Sequence, residues 1–178
     1  MGDPERIGYE TRLRAAVLAG DETAWRTWYD ANCERLERYV RWRCSGLADL
    51  AADVLQETWL VAVNRIAAFE PKTGSFRTWL RGIAQNVLRN HLRREGRRND
   101  FGHSAEPTTT DDNRAYRVAG ALAELPRKYE SVLRAKYLDG RSVCQIAKAL
   151  TKSPKAIESL LTRARSAFKI AYEKLNDG

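Results

Sequence analysis

The sequence predicts an all-α protein with two small helical domains joined by a flexible linker, the C-terminal domain being a helix-turn-helix. Apolar residues recur at steps of three, four and seven on both sides of a polar stretch, and no segment alternates with period two over a useful length. The polar stretch, residues 96–116, is rich in Gly, Pro, Thr and Asp, a composition typical of a solvated connector. We therefore expect domains at residues 1–95 and 117–178, without strands.

Four helices are predicted in the first domain. They lie near residues 10–19, 22–43, 48–68 and 75–95. Asp21 is a candidate N-cap for the second of these helices, because an Asp side chain accepts hydrogen bonds from the first free amides of a helix.

Four more helices are predicted in the second domain. They lie near residues 114–123, 127–138, 142–150 and 154–174. Pro126 and Pro154 stand where first-turn prolines are tolerated. Gly140 stands where a helix can end, and Ser153 is a candidate N-cap.

The charge balance favours a polyanionic partner. Thirty-one Lys and Arg against 23 Asp and Glu give a net charge of +8 and a pI near 9.6, which suits nucleic acid or an anionic membrane surface. The sequence has no long apolar run and no secretory pattern at its N-terminus, so we expect a cytoplasmic protein without membrane insertion. Cys33, Cys44 and Cys144 lack metal or redox spacing, so reduced thiols and no metal or other cofactor are expected.

The clearest local pattern lies in the second domain. The pattern is a helix, a three-residue turn and a second helix. The first helix is SVCQIAKAL at residues 142–150, the turn is Thr151-Lys152-Ser153, and the longer second helix begins at Pro154. Ile146, Ala147 and Leu150 are expected to pack against Ile157 and Leu161, which leaves the second helix free to enter a major groove. An ordinary antiparallel helix pair with a basic surface is the alternative.

The exposed side of that second helix supplies the candidate contacts to duplex DNA. The candidates are Lys152, Lys155, Glu158, Ser159, Thr162, Arg163 and Arg165. Side chains near the start of the helix would meet base edges, and the basic ones would meet phosphates.

The helix at residues 75–95 is strongly basic. Its arginines are Arg77, Arg81, Arg89, Arg93 and Arg94, continued by Arg97 and Arg98. Only Glu95 opposes them, so this is not a self-neutralising face. A positive groove combined with aromatic faces binds single strands well, and Phe76, Trp79 and Trp59 are candidate faces. Each aromatic residue can equally belong to the core, and Trp79, Ile83 and Val87 also fit a buried stripe.

Two further features accompany the basic helix. The polar loop FEPKTGS at residues 69–75 could border a pocket for an extruded base, although most such loops only connect helices. Asp49, Asp53, Gln56, Glu57 and Leu60 share one helical face. Phosphate would repel that face, so it suits a basic protein partner if it is not simply solvated.

The motifs together resemble the extracytoplasmic-function (ECF) sigma factors of the sigma-seventy family. Four segments are similar to region two in order and spacing. They are ADVLQETWL at residues 52–60, GSFRTWL at 74–80, IAQN at 83–86 and LRR at 92–94. LP at 125–126, Tyr129, YLDG at 137–140, IA at 146–147 and RAR at 163–165 resemble region four. The chain departs from the family pattern at three residues. Thr151 stands where glycine is frequent, and Glu158 and Leu160 stand where basic residues are common.

The resemblance implies a non-catalytic sigma factor that binds core RNA polymerase and directs promoter recognition and transcription initiation. The acidic face would bind the clamp of the largest polymerase subunit. The residues expected at the minus-ten element are Lys72, Thr73, Gly74, Ser75, Phe76, Trp79, Asn86, Arg89 and Arg93. Residues 154–165 would read the minus-thirty-five element. An anti-sigma factor is a further expected partner, and no small-molecule substrate is expected.

Two other classes of function stay open. A freestanding helix-turn-helix repressor would dimerise through its first domain and bind a palindrome without polymerase. A nucleic-acid enzyme would have only His91 and His103 as histidines, and neither has metal-ligand spacing. His91 is interpreted as a surface or phosphate-contacting residue on the arginine helix.

Overall fold

The structure, a computed structural model, describes residues 3–100 and 110–175, although the side chains of residues 96–100 lie outside the description. Every regular element in these ranges is helical. The described chain divides into two compact units, one formed by residues up to 41 and 48–100, the other by residues 42–47 and 110–175. This confirms the predicted all-α fold class.

The first unit contains four α-helices and one short 3₁₀ turn. They are α1 (Pro4–Leu18), α2 (Glu22–Arg43, whose last two residues belong to the other unit), α3 (Ala48–Arg65), the 3₁₀ turn Ile66–Ala68 and α4 (Phe76–Asp100). Asp21 accepts hydrogen bonds from the amides of Thr23 and Ala24, at 2.8 and 3.2 Å, which confirms it as a cap. Helices α3 and α4 pack against each other and position the loop between them.

Helix α1 begins six residues earlier than predicted. Its start has the expected signals, because Asp3 Oδ1 accepts the amide of Glu5 at 3.1 Å and Pro4 occupies the first turn. The apolar periodicity that predicted residues 10–19 does not reach this first turn, since Glu5, Arg6 and Gly8 interrupt it. The helix was therefore predicted too short.

Aromatic rings fill the core beneath the α3–α4 loop. Trp28 stacks on Phe76 with ring centroids 4.2 Å apart, and Phe69 meets both rings edge-on at 5.8 and 5.4 Å. Edge-to-face and stacked aromatic pairs add to the stabilisation that comes from burying their area. The two phenylalanines at the ends of the loop are therefore fixed in the core.

The second unit contains α5 (Thr110–Glu124), α6 (Arg127–Leu133), a π-helical turn (Arg134–Leu138), α7 (Val143–Leu150) and α8 (Pro154–Lys174). Helix α8 packs against α5, α6 and α7, so it forms the centre of the unit. The backbone of Gly140 has φ +64, a left-handed conformation that glycine adopts at little cost, and the helical segment ends there as predicted.

The core between α6, α7 and α8 differs from the prediction at one residue. It comprises Val132, Leu133, Ile146, Ala147, Ile157, Leu161 and Ala164. Leu150, expected in this core, is 43% exposed because it occupies the last position of α7. Leu160 packs against the core, so it takes part in folding rather than standing in place of a surface cation.

The predicted connector at residues 96–116 is helical at both ends. Helix α4 continues to Asp100 and α5 begins at Thr110, while residues 101–109 lie outside the description. Asp111 and Asp112 lie in the first turn of α5, where negative charge interacts favourably with the helix dipole. Composition alone therefore did not reveal the helical ends of this segment, and the domain limits at 95 and 117 stay predictions.

Candidate nucleic-acid and protein interfaces

The acidic face of α3 projects away from the helix's buried side. Leu50, Ala51, Val54, Thr58 and Ala62 are the buried residues. Asp49, Asp53, Gln56 and Leu60 are exposed. Among the described residues, neither Asp49 nor Asp53 forms an ion pair, so two uncompensated carboxylates one helical turn apart face solvent.

Glu57 differs from the other carboxylates of this face because it has a partner. Its Oε2 lies 2.8 Å from Nε2 of His91, which joins α3 to α4. The side chain of His91 is only 21% exposed. The interpretation of His91 as a surface or phosphate-contacting residue is therefore wrong, because its ring is largely covered and bonded to a carboxylate of the acidic face.

The α3–α4 loop presents a short exposed tip. Lys72 and Thr73 are exposed, and Gly74 and Ser75 are partly buried. Glu70 organises the tip, since its backbone carbonyl accepts the amide and hydroxyl of Thr73 at 3.0 and 2.8 Å. The tip is thus compact and polar, and the space in front of Gly74 is open.

Phe76 cannot serve as a stacking face for a base. Its side chain is 1% exposed and lies between Trp28 and Phe69 in the aromatic core. Trp79 is half-buried, with its ring 5.4 and 5.6 Å from those of Phe69 and Phe76. The prediction for Phe76 is corrected for this reason, while Trp79 keeps a partly exposed edge.

Helix α4 separates an apolar side from a basic side. Ile83, Val87 and Leu88 are buried, as the predicted stripe requires for the first two. Asn86, Arg89, Arg93 and Arg94 are exposed. Arg81 departs from the basic stripe, because its guanidinium lies 5.3 Å from the ring centroid of the buried Tyr39. The side chains of Arg97 and Arg98 lie outside the description.

Two capped helices form the helix-turn-helix. Ser142 and Gln145 make a reciprocal capping box at the start of α7, with bonds of 2.8 and 3.2 Å. Ser153 Oγ accepts the amide of Ala156 at 3.2 Å, which confirms the predicted cap of α8. Between them Thr151 adopts φ +53, and the amide of Lys152 bonds to the carbonyl of Ala147 at 2.9 Å.

Helix α8 and the turn before it present all the predicted DNA-contacting residues on the surface. Lys152, Lys155, Glu158, Ser159, Thr162, Arg163 and Arg165 are exposed. Ile157, Leu161 and Ala164 are buried on the opposite side. The first half of the helix therefore has a mainly polar outer face that a groove can meet.

Tyr137 is a site residue that sequence reasoning missed. It lies on the π-helical turn, is 57% exposed, and its hydroxyl accepts a hydrogen bond from Arg165 Nε at 2.9 Å. The Arg165 guanidinium also lies 6.0 Å from the ring centroid. The YLDG motif supplied the residue, but no periodic signal pointed to its pairing with a helix 28 residues further along the chain.

Arg6, Glu10 and Arg14 of α1 were also missed, and all three contact the segment between α3 and α4. Arg6 donates to the carbonyls of Pro71 and Gly74, at 3.2 and 3.3 Å. Glu10 accepts the amide of Phe76 at 3.0 Å, and Arg14 donates to the carbonyl of Ala67 at 2.6 Å. The Asp3-Pro4 start signal could have revealed the helix but not these long-range contacts.

The cysteines fall into different environments. Cys44 is fully buried, and this burial raises the pKa of its thiol to about 12 despite the opposing charge of Arg43. Cys33 is partly exposed and Cys144 is exposed, and all three are free thiols. In the ranges 3–100 and 110–175, no three His, Cys, Asp or Glu residues are grouped as a metal site would require.

Comparison with known proteins gives the chain a family. Residues 28–98 match Sigma-70 region 2, and residues 116–168 match Sigma-70, region 4. The ECF RNA polymerase sigma factor SigL of Mycobacterium tuberculosis is 30% identical over 170 residues, which cover 90% of this chain and 96% of SigL. The chain belongs to the ECF RNA polymerase sigma factors.

A second relative of this sigma factor carries the same family name. BldN of Streptomyces coelicolor, also an ECF RNA polymerase sigma factor, is 27% identical over 82% of this chain, and the match spans 59% of BldN's length. Among solved structures, CnrH in complex with the cytosolic domain of CnrY has a TM-score of 0.48 and 24% identity, over 91% of this chain and 96% of that one. No helix in the described parts of this sigma factor is both long enough and apolar enough to cross a bilayer.

Proposed function

We propose that this sigma factor recruits core RNA polymerase through the acidic face of α3, reads the minus-ten element with the α3–α4 loop and the basic side of α4, and reads the minus-thirty-five element with α8. One observation carries the proposal. Three exposed surfaces of suitable charge occur on elements already matched to sigma regions two and four. A sigma factor needs a protein-binding surface and two DNA-binding surfaces, and each surface has the matching chemistry. It acts without catalysing a reaction, in the cytoplasm where its polymerase works.

The acidic face supports a contact with a basic protein surface. Asp49 and Asp53, which have no ion-pair partner among the residues that the structure describes, attract cations and repel the phosphates of the promoter. Leu60 lies at the end of the same face and is 56% exposed. A partner that covers it would remove this apolar surface from water, which favours binding. The combination fits an interface with a basic rim and an apolar centre.

The loop and helix α4 support reading of a melted strand. Thr73, Gly74 and Ser75 of the tip have small side chains, so an unpaired base can approach the backbone there. Asn86 offers an amide for a base edge, while Arg89 and Arg93 offer charge for phosphates. An anti-sigma factor remains an additional expected partner, and its binding surface is not assigned.

The decisive test is charge reversal on the acidic face. Asp49 and Asp53 are the best pair, because they are exposed and replacing Glu57 would also remove the bond to His91. Asp49→Arg with Asp53→Arg should lower association with core polymerase at least about tenfold, since like charges across an interface are strongly unfavourable. Association is measured by fluorescence anisotropy of labelled sigma factor titrated with core enzyme.

The matched control is the same reversal on α2. Asp30→Arg with Glu34→Arg has the same four-residue spacing and equally exposed positions, and it should bind core polymerase nearly as the wild type does. If both double variants bind core polymerase with wild-type affinity, the acidic face is not the polymerase-binding surface.

A freestanding repressor is the second candidate function. It predicts tight binding of the isolated chain to a palindromic duplex, which a gel shift without polymerase measures. The sigma assignment predicts instead that specific transcription begins only when core polymerase is added.

A further inference from the structure

We propose that Arg6 and Glu10 of α1 are positioning residues that fix the conformation of the minus-ten loop and thereby set its base selectivity. The inference rests on the proposed function of that loop. It assigns a role in promoter reading to a helix that lies outside the matched region at residues 28–98.

The pair binds the loop at both ends of its exposed tip. Arg6 donates one hydrogen bond to the carbonyl of Pro71, just before the tip, and another to the carbonyl of Gly74, in the second half of the tip. A guanidinium presents its donors in a rigid fork, so holding two carbonyls at once fixes their separation. Lys72 and Thr73 lie between the two anchored carbonyls.

Glu10 completes the arrangement on the helix side. Its Oε1 accepts the amide of Phe76, the first residue of α4, and its Oε2 forms an ion pair with Arg6. Glu10 is only 7% exposed, so these charge-assisted bonds act in a poorly solvated place where they are strong. One carboxylate therefore links the start of α4 to the guanidinium that holds the tip.

Two other residues help to fix the tip. Ser75 caps α4, since its hydroxyl and carbonyl accept the amides of Thr78 and Trp79 at 3.2 and 3.0 Å, and Glu70 holds the other side. The bonds within the loop all lead to Glu70, which accepts the amide of Lys72 at 3.2 Å and both donors of Thr73. These bonds shape the first half of the tip and leave the carbonyl of Gly74 to Arg6. Displacement of that carbonyl would move the small residues that would line a base pocket.

A positioning role differs measurably from a purely structural one. If Arg6 and Glu10 only stabilised the fold, their loss would lower the yield of active protein equally for every promoter. If they position the loop, their loss changes the ranking of bases at the minus-ten element. The quantity to measure is the ratio of transcription from the preferred base to transcription from each other base. This ratio does not depend on the fraction of protein that is active.

The experiment is competitive in vitro transcription by holoenzyme, assembled from core polymerase and the full chain, on templates with a randomised minus-ten element. The variants are Arg6→Lys, which keeps the charge but loses the fork, and Glu10→Gln, which keeps an acceptor but loses the charge. Exposed residues of the same helix give the matched controls Arg12→Lys and Glu5→Gln. Circular dichroism melts confirm that each variant is folded at the assay temperature.

Arg6→Lys and Glu10→Gln should each reduce discrimination between the preferred and the other bases by about tenfold at one or more positions, while both controls keep the wild-type profile. Binding to core polymerase should not change. An unaltered base profile in both folded variants overturns the inference.

Failure of the loop function and failure of the α1 role give different results. A wild-type holoenzyme without base preference at the minus-ten element, or a Thr73→Ala, Gly74→Ala loop variant with the wild-type profile, overturns the proposed loop function and the inference with it. A selective wild type whose profile responds to the loop variant but not to Arg6→Lys or Glu10→Gln overturns only the role of α1.

Discussion

The hydroxyl of Tyr137 fixes the direction in which the Arg165 guanidinium extends from α8. The ring lies under the guanidinium and the phenolic oxygen accepts its Nε proton, so one aromatic side chain constrains the cation in two ways. A constrained cation loses less conformational entropy when it meets a phosphate. We therefore expect Tyr137 to contribute, beside Arg165, to the proposed minus-thirty-five surface.

Replacing Tyr137 with Phe should weaken binding to the minus-thirty-five element without changing which sequence is preferred. The ring remains but the acceptor is lost, so Arg165 is less well held, and we expect about a threefold loss of affinity. Holoenzyme binding to a set of minus-thirty-five variants, measured by anisotropy, checks this. Tyr9→Phe, exposed on α1, is the control, and a loss confined to one base variant would contradict a phosphate-directed role.

Exposure along α8 could be predicted from the sequence, whereas the environments of several other residues could not. A helix with a clear 3.6-residue apolar period has one possible inner side, so all seven candidates at its start and turn were placed correctly on the surface. Phe76 and Leu150 were misplaced because each lies at a helix end, where periodicity no longer decides burial. Both assignments depend on neighbours remote in the sequence.

The turn between α7 and α8 stores backbone strain at Thr151. This β-branched residue has φ +53, a conformation that costs most residues about 1–2 kcal/mol and that glycine adopts readily. The bond from the Lys152 amide to the Ala147 carbonyl closes the turn and holds Thr151 in place. Caps on both flanking helices help to offset the strain.

Thr151→Gly should therefore stabilise the second unit. Relief of strain exceeds the added chain entropy of glycine, and a net gain of roughly 0.5–1 kcal/mol is expected. A thermal melt should show a Tm several degrees higher, given about 4–8 °C per kcal/mol for a domain of this size. The adjacent Lys152→Gly, at a residue without positive φ, is the matched control and should lower the Tm, so a lower Tm for Thr151→Gly would contradict the strain.

Helix positions were predicted well because apolar period and capping residues are local properties. The six helices other than α1 and α5 begin within one residue of the predicted positions. The role of α1 was not predictable in the same way. Arg6 and Glu10 bond to residues more than 60 positions away, and a single sequence has no local signal for such a contact.

Charge is the property of the whole molecule that matters most for promoter binding. The chain carries +8 overall, yet Asp49 and Asp53 keep a negative face within it. Attraction to phosphate is sequence-independent and weakens with salt, because bound phosphates release condensed counterions. Raising the salt concentration should therefore lower the affinity that the arginines provide and leave the base selectivity of the loop unchanged.

Arg89→Gln with Arg93→Gln tests that separation. Each phosphate contact to a single strand contributes about 0.7 to the slope of log affinity against log salt, so the double variant should lose roughly 1.4. The slope is measured by titrating holoenzyme against a labelled minus-ten strand at several salt concentrations. The order of preferred bases should stay that of the wild type, and a strongly sequence-selective loss would assign these arginines to base reading instead.

The dependence of the α3–α4 loop on α1 limits how this protein can be re-engineered. A loop grafted at residues 69–75 from another ECF sigma factor would arrive without the side chains that hold its backbone in the donor protein. A chimera that exchanges the first 14 residues together with the loop keeps those side chains. If α1 has the proposed role, promoter preference depends on two separate segments of the chain, which must be exchanged together.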